Sequence, residues 1–181
     1  MGDIKENNLG LIHVYYGDGK GKTSSAVGTV IRAASSGYKV LISRFLKNDD
    51  SAEVPFLANT ENITLIPTEK DYGFFFEMND ETKKEAGKYF TAMLIKSFDM
   101  CANNSYNLLF LDEINVAVDL GLVKESLLLE KLKNKPKHLE VILTGRNPSN
   151  ALIKLSDYAC EIKNIKHPYD LGINARKGID Y

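Results

Sequence analysis

Residues 11–34 constrain the fold more than any other stretch. Leu11-Ile12-His13-Val14-Tyr15-Tyr16 is an apolar run that reads as a buried strand. Gly17-Asp18-Gly19-Lys20-Gly21-Lys22-Thr23 follows as a glycine-rich turn, and residues 24–34, beginning at Ser24, read as a helix. A strand, a glycine-rich turn, Gly-Lys-Thr and a helix form the context in which a phosphate-loop match has physical content. The glycines let the backbone turn tightly, so that several N–H groups face one anion. The helix start adds the positive end of its dipole. Lys22 would neutralise phosphate oxygens, and the Thr23 hydroxyl would ligate Mg²⁺. The loop is one residue short. The usual pattern places a glycine five residues before the Gly-Lys pair, where this chain has Tyr16, and counting from Gly17 leaves three residues before Gly21 instead of four. Polyphosphate binding is the expectation, with the pose left open.

The remaining chain alternates strand and helix. Strands are predicted over residues 38–46, 63–66, 108–111, 140–144 and 158–162, and helices over 53–58, from 79 or 80 to about 102, over 123–133, and from a cap-and-first-turn pair at Asn147-Pro148 to 155. Asn48-Asp49-Asp50-Ser51 reads as a turn, and Gly37 as the cap that closes the first helix. This alternation predicts an α/β, P-loop NTPase-like fold: a mainly parallel sheet with helices on both faces, in one domain across residues 1–181. Ligands of such sheets sit at the carboxyl ends of the strands. Gly17, Arg44, Asp112 and Arg146 all end or follow predicted strands, so they are expected on one rim.

Composition narrows the function classes. A net charge of −1 gives no general pull toward nucleic acid or a membrane surface. No apolar run approaches the roughly 20 residues that span a bilayer. The polar stretch over residues 1–9 does not read as a secretory signal. Cys101 and Cys160 lack Cys-x-x-Cys spacing, and two buried thiols in a reduced cytoplasmic setting are expected. No pair of His and Cys residues has zinc-ligand spacing; His13 reads as strand packing.

Leu108-Leu109-Phe110-Leu111-Asp112-Glu113 resembles a Walker B element, whose acids hold Mg²⁺ directly or through water. Alone, two acids ending a strand are more often merely solvated; after a phosphate loop the metal reading prevails. Arg146, after Thr144-Gly145, could grip a terminal phosphate with its planar fork or form a surface ion pair. Arg44 and Lys47 carry weaker claims of the same kind. Gly73-Phe74-Phe75-Phe76-Glu77 places three aromatics where no regular period points them into one core. Two of them plug a core edge, or they form an apolar lid over a large flat ligand; periodicity does not decide. His167, followed by Pro168, reads as a structural loop residue more readily than as a base.

Together these pieces resemble the corrinoid adenosyltransferases of the CobA/BtuR type. The resemblance runs through the phosphate loop, Arg44-Phe45-Leu46-Lys47, Gly73 to Glu77, Leu111-Asp112-Glu113, Leu143-Thr144-Gly145-Arg146 and the closing segment from Lys166 to Tyr181, in the family's order. It implies transfer of the 5′-deoxyadenosyl group of ATP to the Co(I) of a corrinoid such as cobalamin or cobinamide, with release of triphosphate. It further implies ATP held in reverse in the loop, with nucleotide contacts from Gly17, Asp18, Gly19, Lys20, Gly21, Lys22, Thr23, Ser24, Arg44, Arg146 and His167. Lys22 and Arg146 would stabilise the departing triphosphate. Mg²⁺, or Mn²⁺, would be held by Thr23 and Glu113 first and Asp112 next. Phe74 and Phe76 would wedge beneath the corrin and exclude its lower ligand, so that Co(II) becomes easier to reduce.

The resemblance also implies a flavoprotein reductase as electron donor, a homodimer, and neither a nucleic-acid nor a membrane partner. This chain departs from the family at Phe76, where Trp is frequent, at Asp18, where Asn is usual, and at Arg44, where Gln is frequent. About nine residues precede the first strand, so an N-terminal cover over the corrinoid is expected to be missing. Two alternatives stay open on sequence alone: a carrier or regulatory protein that binds ATP and corrinoid without turnover, and an ordinary P-loop ATPase or kinase.

Overall fold

A computed structural model describes residues 9–48 and 50–180, with only the backbone of Asn104. Asp49 of the expected turn, the N-terminal stretch over 1–8 and Tyr181 lie outside the described residues. Six strands form one sheet in which every pairing is parallel: β1 (Ile12–Tyr16), β2 (Val40–Arg44), β3 (Ile63–Leu65), β4 (Leu108–Asp112), β5 (Glu140–Gly145) and β6 (Tyr158–Glu161). Their spatial order is β3-β2-β4-β5-β1-β6. The helices are α1 (Lys22–Ser35), α2 (Glu53–Ala58), α3 (Asp80–Asn104), α4 (Ile114–Asp119), α5 (Glu125–Lys133) and α6 (Asn150–Leu155), with 3₁₀ turns at Phe75–Glu77 and Pro168–Leu171.

Strand alternation divides the core between the two faces. Val40 and Ile42 of β2, Phe110 of β4 and Ile142 of β5 pack against Ala26, Val30 and Ala34 of α1. Leu41, Leu109, Leu111, Val141 and Leu143 point the other way, toward Phe90, Leu94 and Phe98 of α3 and Leu128 and Leu132 of α5. The central strands therefore read as unbroken apolar runs, because both faces are covered. Ile142 is fully buried in this layer. Ile142→Val should lower unfolding stability by about 0.5–1.5 kcal/mol, seen as a lower urea midpoint at unchanged slope.

Three expectations change. The helix after the Asp-Glu pair, α4, was not expected; it is only six residues long and has no capping side chain of its own. The last helix is capped by Ser149, whose Oγ accepts from Leu152 N at 3.0 Å, and not by Asn147. Asn147 sits at φ 47°, whereas an N-cap needs extended backbone, and its amide instead donates to Asp119 Oδ2 at 3.0 Å. Cys101 is buried as expected, but Cys160 is exposed. It lies on β6, the terminal strand of the sheet, all four residues of which are exposed.

Candidate active site

Parallel pairing brings the carboxyl ends of β1, β2, β4 and β5 to one edge, at Tyr16, Arg44, Asp112 and Gly145. The phosphate loop leaves β1 there and ends at Gly21, the residue before α1, at φ 117°. Gly17 must be glycine for two reasons. Its φ is 114°, and a Cβ would fall 2.4 Å from the carbonyl oxygen of Ile162. The chain beyond β6 thus props the loop from outside: Gly19 N–H donates to Ile162 O at 2.8 Å, and Asn164 N–H donates to Asp18 Oδ1 at 3.0 Å. That last bond is the main reason the Asp18 carboxyl is held below its ordinary range, with Lys22 and Arg146 adding to it. The Asp18 side chain is thereby turned onto the tail.

Lys20 is likewise engaged by the tail. It pairs with Asp180 and donates to Ile179 O at 3.1 Å, while Arg176 Nε holds the other oxygen of Asp180 at 2.9 Å. Lys22 turns inward: it is buried, and its Nζ donates to Gly19 O at 2.7 Å across the loop. Burial pulls its ammonium below the usual lysine value, and Glu113 opposes that shift.

Asp112 is the centre of the rim at 1 % exposure. Its Oδ1 accepts from the hydroxyls of Thr144 at 2.6 Å and Thr23 at 2.9 Å, and its Oδ2 accepts from Lys47 Nζ at 2.6 Å. Lys47 Nζ also donates to Thr23 Oγ1 at 3.0 Å and stands 4.0 Å from Glu113 Oε1. Glu113 adopts φ 60°, and its N–H donates to Thr144 Oγ1 at 2.9 Å. A left-handed glutamate costs on the order of 1–2 kcal/mol, a strain of the kind that gathers at functional sites. Burial first, then Asp112, pushes its carboxyl above the ordinary range, while Lys47, Lys22 and Arg146 pull it back. Arg146 emerges exposed after Gly145, which is at φ 139° and where a Cβ would meet Asn115 Cβ at 2.9 Å. Lys22, Lys47, Arg146 and the two acids therefore form one cluster of mixed charge.

A cavity of about 880 Å³ opens beside this cluster, within the range of roughly 300–1,000 Å³ usual for ligand sites. Thr23, Ser24, Val27 and Ile31 of α1 form one wall, and Lys47, Phe74 and the tail residues Gly178, Ile179 and Asp180 line others. The aromatic triplet splits. Phe75 packs onto the core with Lys83 4.9 Å above its ring, whereas Phe74 and Phe76 are 77 % and 89 % exposed. One ring anchors the loop and two are presented, which matches neither reading of the triplet in full.

Of the expected site residues, Thr23, Ser24, Lys47 and Phe74 line this cavity, whereas the side chains of Arg44 and His167 bond within their own segments. Arg44 is buried and donates from Nη2 to Asn48 O at 2.6 Å, within its own loop. His167 accepts at Nδ1 from Tyr169 N–H at 3.1 Å and so caps the 3₁₀ turn of the tail. His13 packs as expected, with Nε2 2.5 Å from Glu140 Oε1 and its ring stacked on Tyr158 at 4.6 Å. Thr144 and Lys47 both lie in stretches that carry the resemblance, but Thr144 was assigned no role of its own and Lys47 only a weak claim on phosphate.

The family model for ATP:corrinoid adenosyltransferase BtuR/CobO/CobP matches residues 8–181. A corrinoid adenosyltransferase of Pseudomonas aeruginosa is 32 % identical over 182 residues, covering 95 % of this chain and 84 % of its own length. The corrinoid adenosyltransferase CobA of Salmonella typhimurium is 30 % identical, covering 97 % of this chain and 88 % of its own. That of Escherichia coli K12 is 29 % identical with the same coverage.

Proposed function

We propose how this chain works from a premise that these matches establish: it belongs to the ATP:corrinoid adenosyltransferase family BtuR/CobO/CobP. The reaction is transfer of the 5′-deoxyadenosyl group of ATP to the Co(I) of a corrinoid. The observation that carries the site assignment is the joining, through Lys47, of the Lys22, Lys47 and Arg146 cluster to a cavity bordered by the exposed ring of Phe74. Co(I) is itself the nucleophile: its electron pair forms the Co–C bond, and the C5′–O5′ pair leaves with triphosphate. No general base is required. The protein must align the 5′-carbon with cobalt and stabilise the charge that collects on the leaving group.

In this reading Lys22, the loop N–H groups and Arg146 hold the triphosphate, with Ser24 at the cavity wall. Reversed placement of ATP would direct C5′ toward the cavity that Phe74 borders. Mg²⁺, when bound, neutralises phosphate charge, and Thr23, Glu113 and Asp112 are the residues that would hold it. A hydroxyl and two carboxylates are the hard oxygen donors this ion prefers, and phosphates and water supply the rest. Phe74 and Phe76 exclude the lower corrin ligand. The match over residues 8–181 and the single sheet support one domain of this kind.

A flavoprotein reductase would deliver the electron, in the cytoplasm. Among the described residues no helix is long and apolar enough to cross a membrane. A homodimer is supported by the exposed terminal strand and the exposed Ile165, Tyr169 and Leu171 that follow it.

The test is anaerobic. Protein, Mg-ATP and chemically reduced cob(I)alamin should give a light-sensitive alkylcobalamin spectrum and triphosphate in equal amounts. ADP or phosphate without alkylcobalamin would identify a hydrolytic P-loop protein instead.

A further inference from the structure

Lys47 stands where a cation would be wanted. Its Nζ is 2.6 Å from Asp112 Oδ2, 3.0 Å from Thr23 Oγ1 and 4.0 Å from Glu113 Oε1. Thr23 gives its one hydroxyl proton to Asp112 Oδ1, so what Lys47 meets on Oγ1 is a lone pair. Thr144 also donates to Asp112 Oδ1, which leaves Oδ2 to the ammonium. The oxygens assigned above to Mg²⁺ thus already converge on a positive charge that belongs to the chain.

We infer that Lys47 is a built-in counter-cation, filling the seat formed by Thr23, Asp112 and Glu113 until a divalent ion arriving with nucleotide displaces it. The inference rests on the reading of these three residues as the metal-holding group. The reason for such a device is the burial of Asp112. A carboxylate at 1 % exposure is costly to leave without an opposite charge. Lysine suits a temporary occupant, because its charge is compact and rides on a flexible stem. The Lys47 side chain is 24 % exposed and lines the cavity, so its head has room to leave without moving the backbone. Once out, it faces the space assigned to ATP, where phosphate replaces the carboxylate as its partner. Metal without nucleotide offers no such replacement, so the arrangement makes the two ligands enter together.

The probe is Mn²⁺ with the nucleotide-free full chain, read by the electron paramagnetic resonance of free Mn²⁺. Lys47→Met should bind Mn²⁺ at least about tenfold more tightly than the wild type, since two cations a few ångströms apart repel even at a high effective dielectric. Lys47→Arg, which keeps the charge, should stay near the wild type. Equal affinity in Lys47→Met and wild type, with binding weakened by Thr23→Val and Asp112→Asn, overturns the role of Lys47 and leaves the metal group standing. Affinity indifferent to Thr23→Val and Asp112→Asn overturns both. Lys47→Met leaves a buried carboxylate and could unfold the chain, so the wild type supplies a second readout. Its Lys47 ammonium, identified by ¹⁵N resonance from its loss in Lys47→Arg, should shift when Mg-ATP is added, and an unmoved resonance overturns the inference.

Discussion

Lys22→Ala is expected to slow adenosyl transfer from ATP to Co(I) by roughly 10²–10³-fold, about 3–4 kcal/mol, the scale of losing one preorganised charge at a developing anion. Lys22 is buried, and its Nζ is fixed on Gly19 O at 2.7 Å before any phosphate arrives. Its position therefore costs no reorganisation during the reaction. Arg146 is exposed and Lys47 comes from the loop after β2 on the Asp112 side of the site, so neither replaces a charge held beneath the loop. The loss should appear mainly in kcat, because triphosphate gains charge as C5′–O5′ breaks, while the loop N–H groups and Arg146, in the proposed arrangement, would still bind the ground state. Lys22→Arg should recover little, since a planar fork does not fit a buried seat shaped for a point donor. Single-turnover rates with preformed cob(I)alamin isolate this step from reduction. Near-normal turnover in Lys22→Ala would remove the residue from the mechanism.

The elements of the site were legible in sequence; their mutual contacts were not. Gly17 to Thr23 announces itself because a phosphate loop is a local structure, made by neighbouring residues. The convergence of Arg44, Asp112 and Gly145 followed from strand alternation, since parallel strands end on one edge. Thr144 was invisible as a site residue because its role comes from register: Leu111 pairs with Leu143, which sets Asp112 beside Thr144. Asp18 and Lys20 were expected to face phosphate, yet their side chains are held by Asn164 and Asp180, roughly 150 residues away, and no local pattern reports that. The two anchored halves of the loop, Lys22 inward and Lys20 outward, make one motif serve both ligand and tail. Phe75 shows the same limit in miniature. A 3₁₀ turn sends the middle ring of the triplet inward and its neighbours outward, whereas sequence period considered only helix and strand.

Phe76→Ala is expected to cut the rate of assays that begin from Co(II) by tenfold or more, and to change those supplied with Co(I) by less than about twofold, because tenfold in a one-electron equilibrium corresponds to about 59 mV. The two assays differ only in whether the protein must make reduction easier. An apolar ring under the corrin does this by excluding the base and water that would stabilise Co(II), and it offers nothing to the later attack on C5′. Phe76 is 89 % exposed and, among the described residues, its ring contact is edge-on with Phe75 at 5.8 Å, so the fold does not depend on it. Stability should therefore move by no more than about 0.5 kcal/mol, as for other exposed positions. Phe75→Ala is the contrast: it removes the anchor beneath Lys83 and should loosen Phe74 and Phe76 together. Phe76→Trp enlarges the apolar wedge and should raise the Co(II) rate without altering the Co(I) rate. Equal losses in both assays for Phe76→Ala would mean that the ring only helps to bind corrinoid. The loop would then be a docking surface, and control of the cobalt potential would have to come from elsewhere.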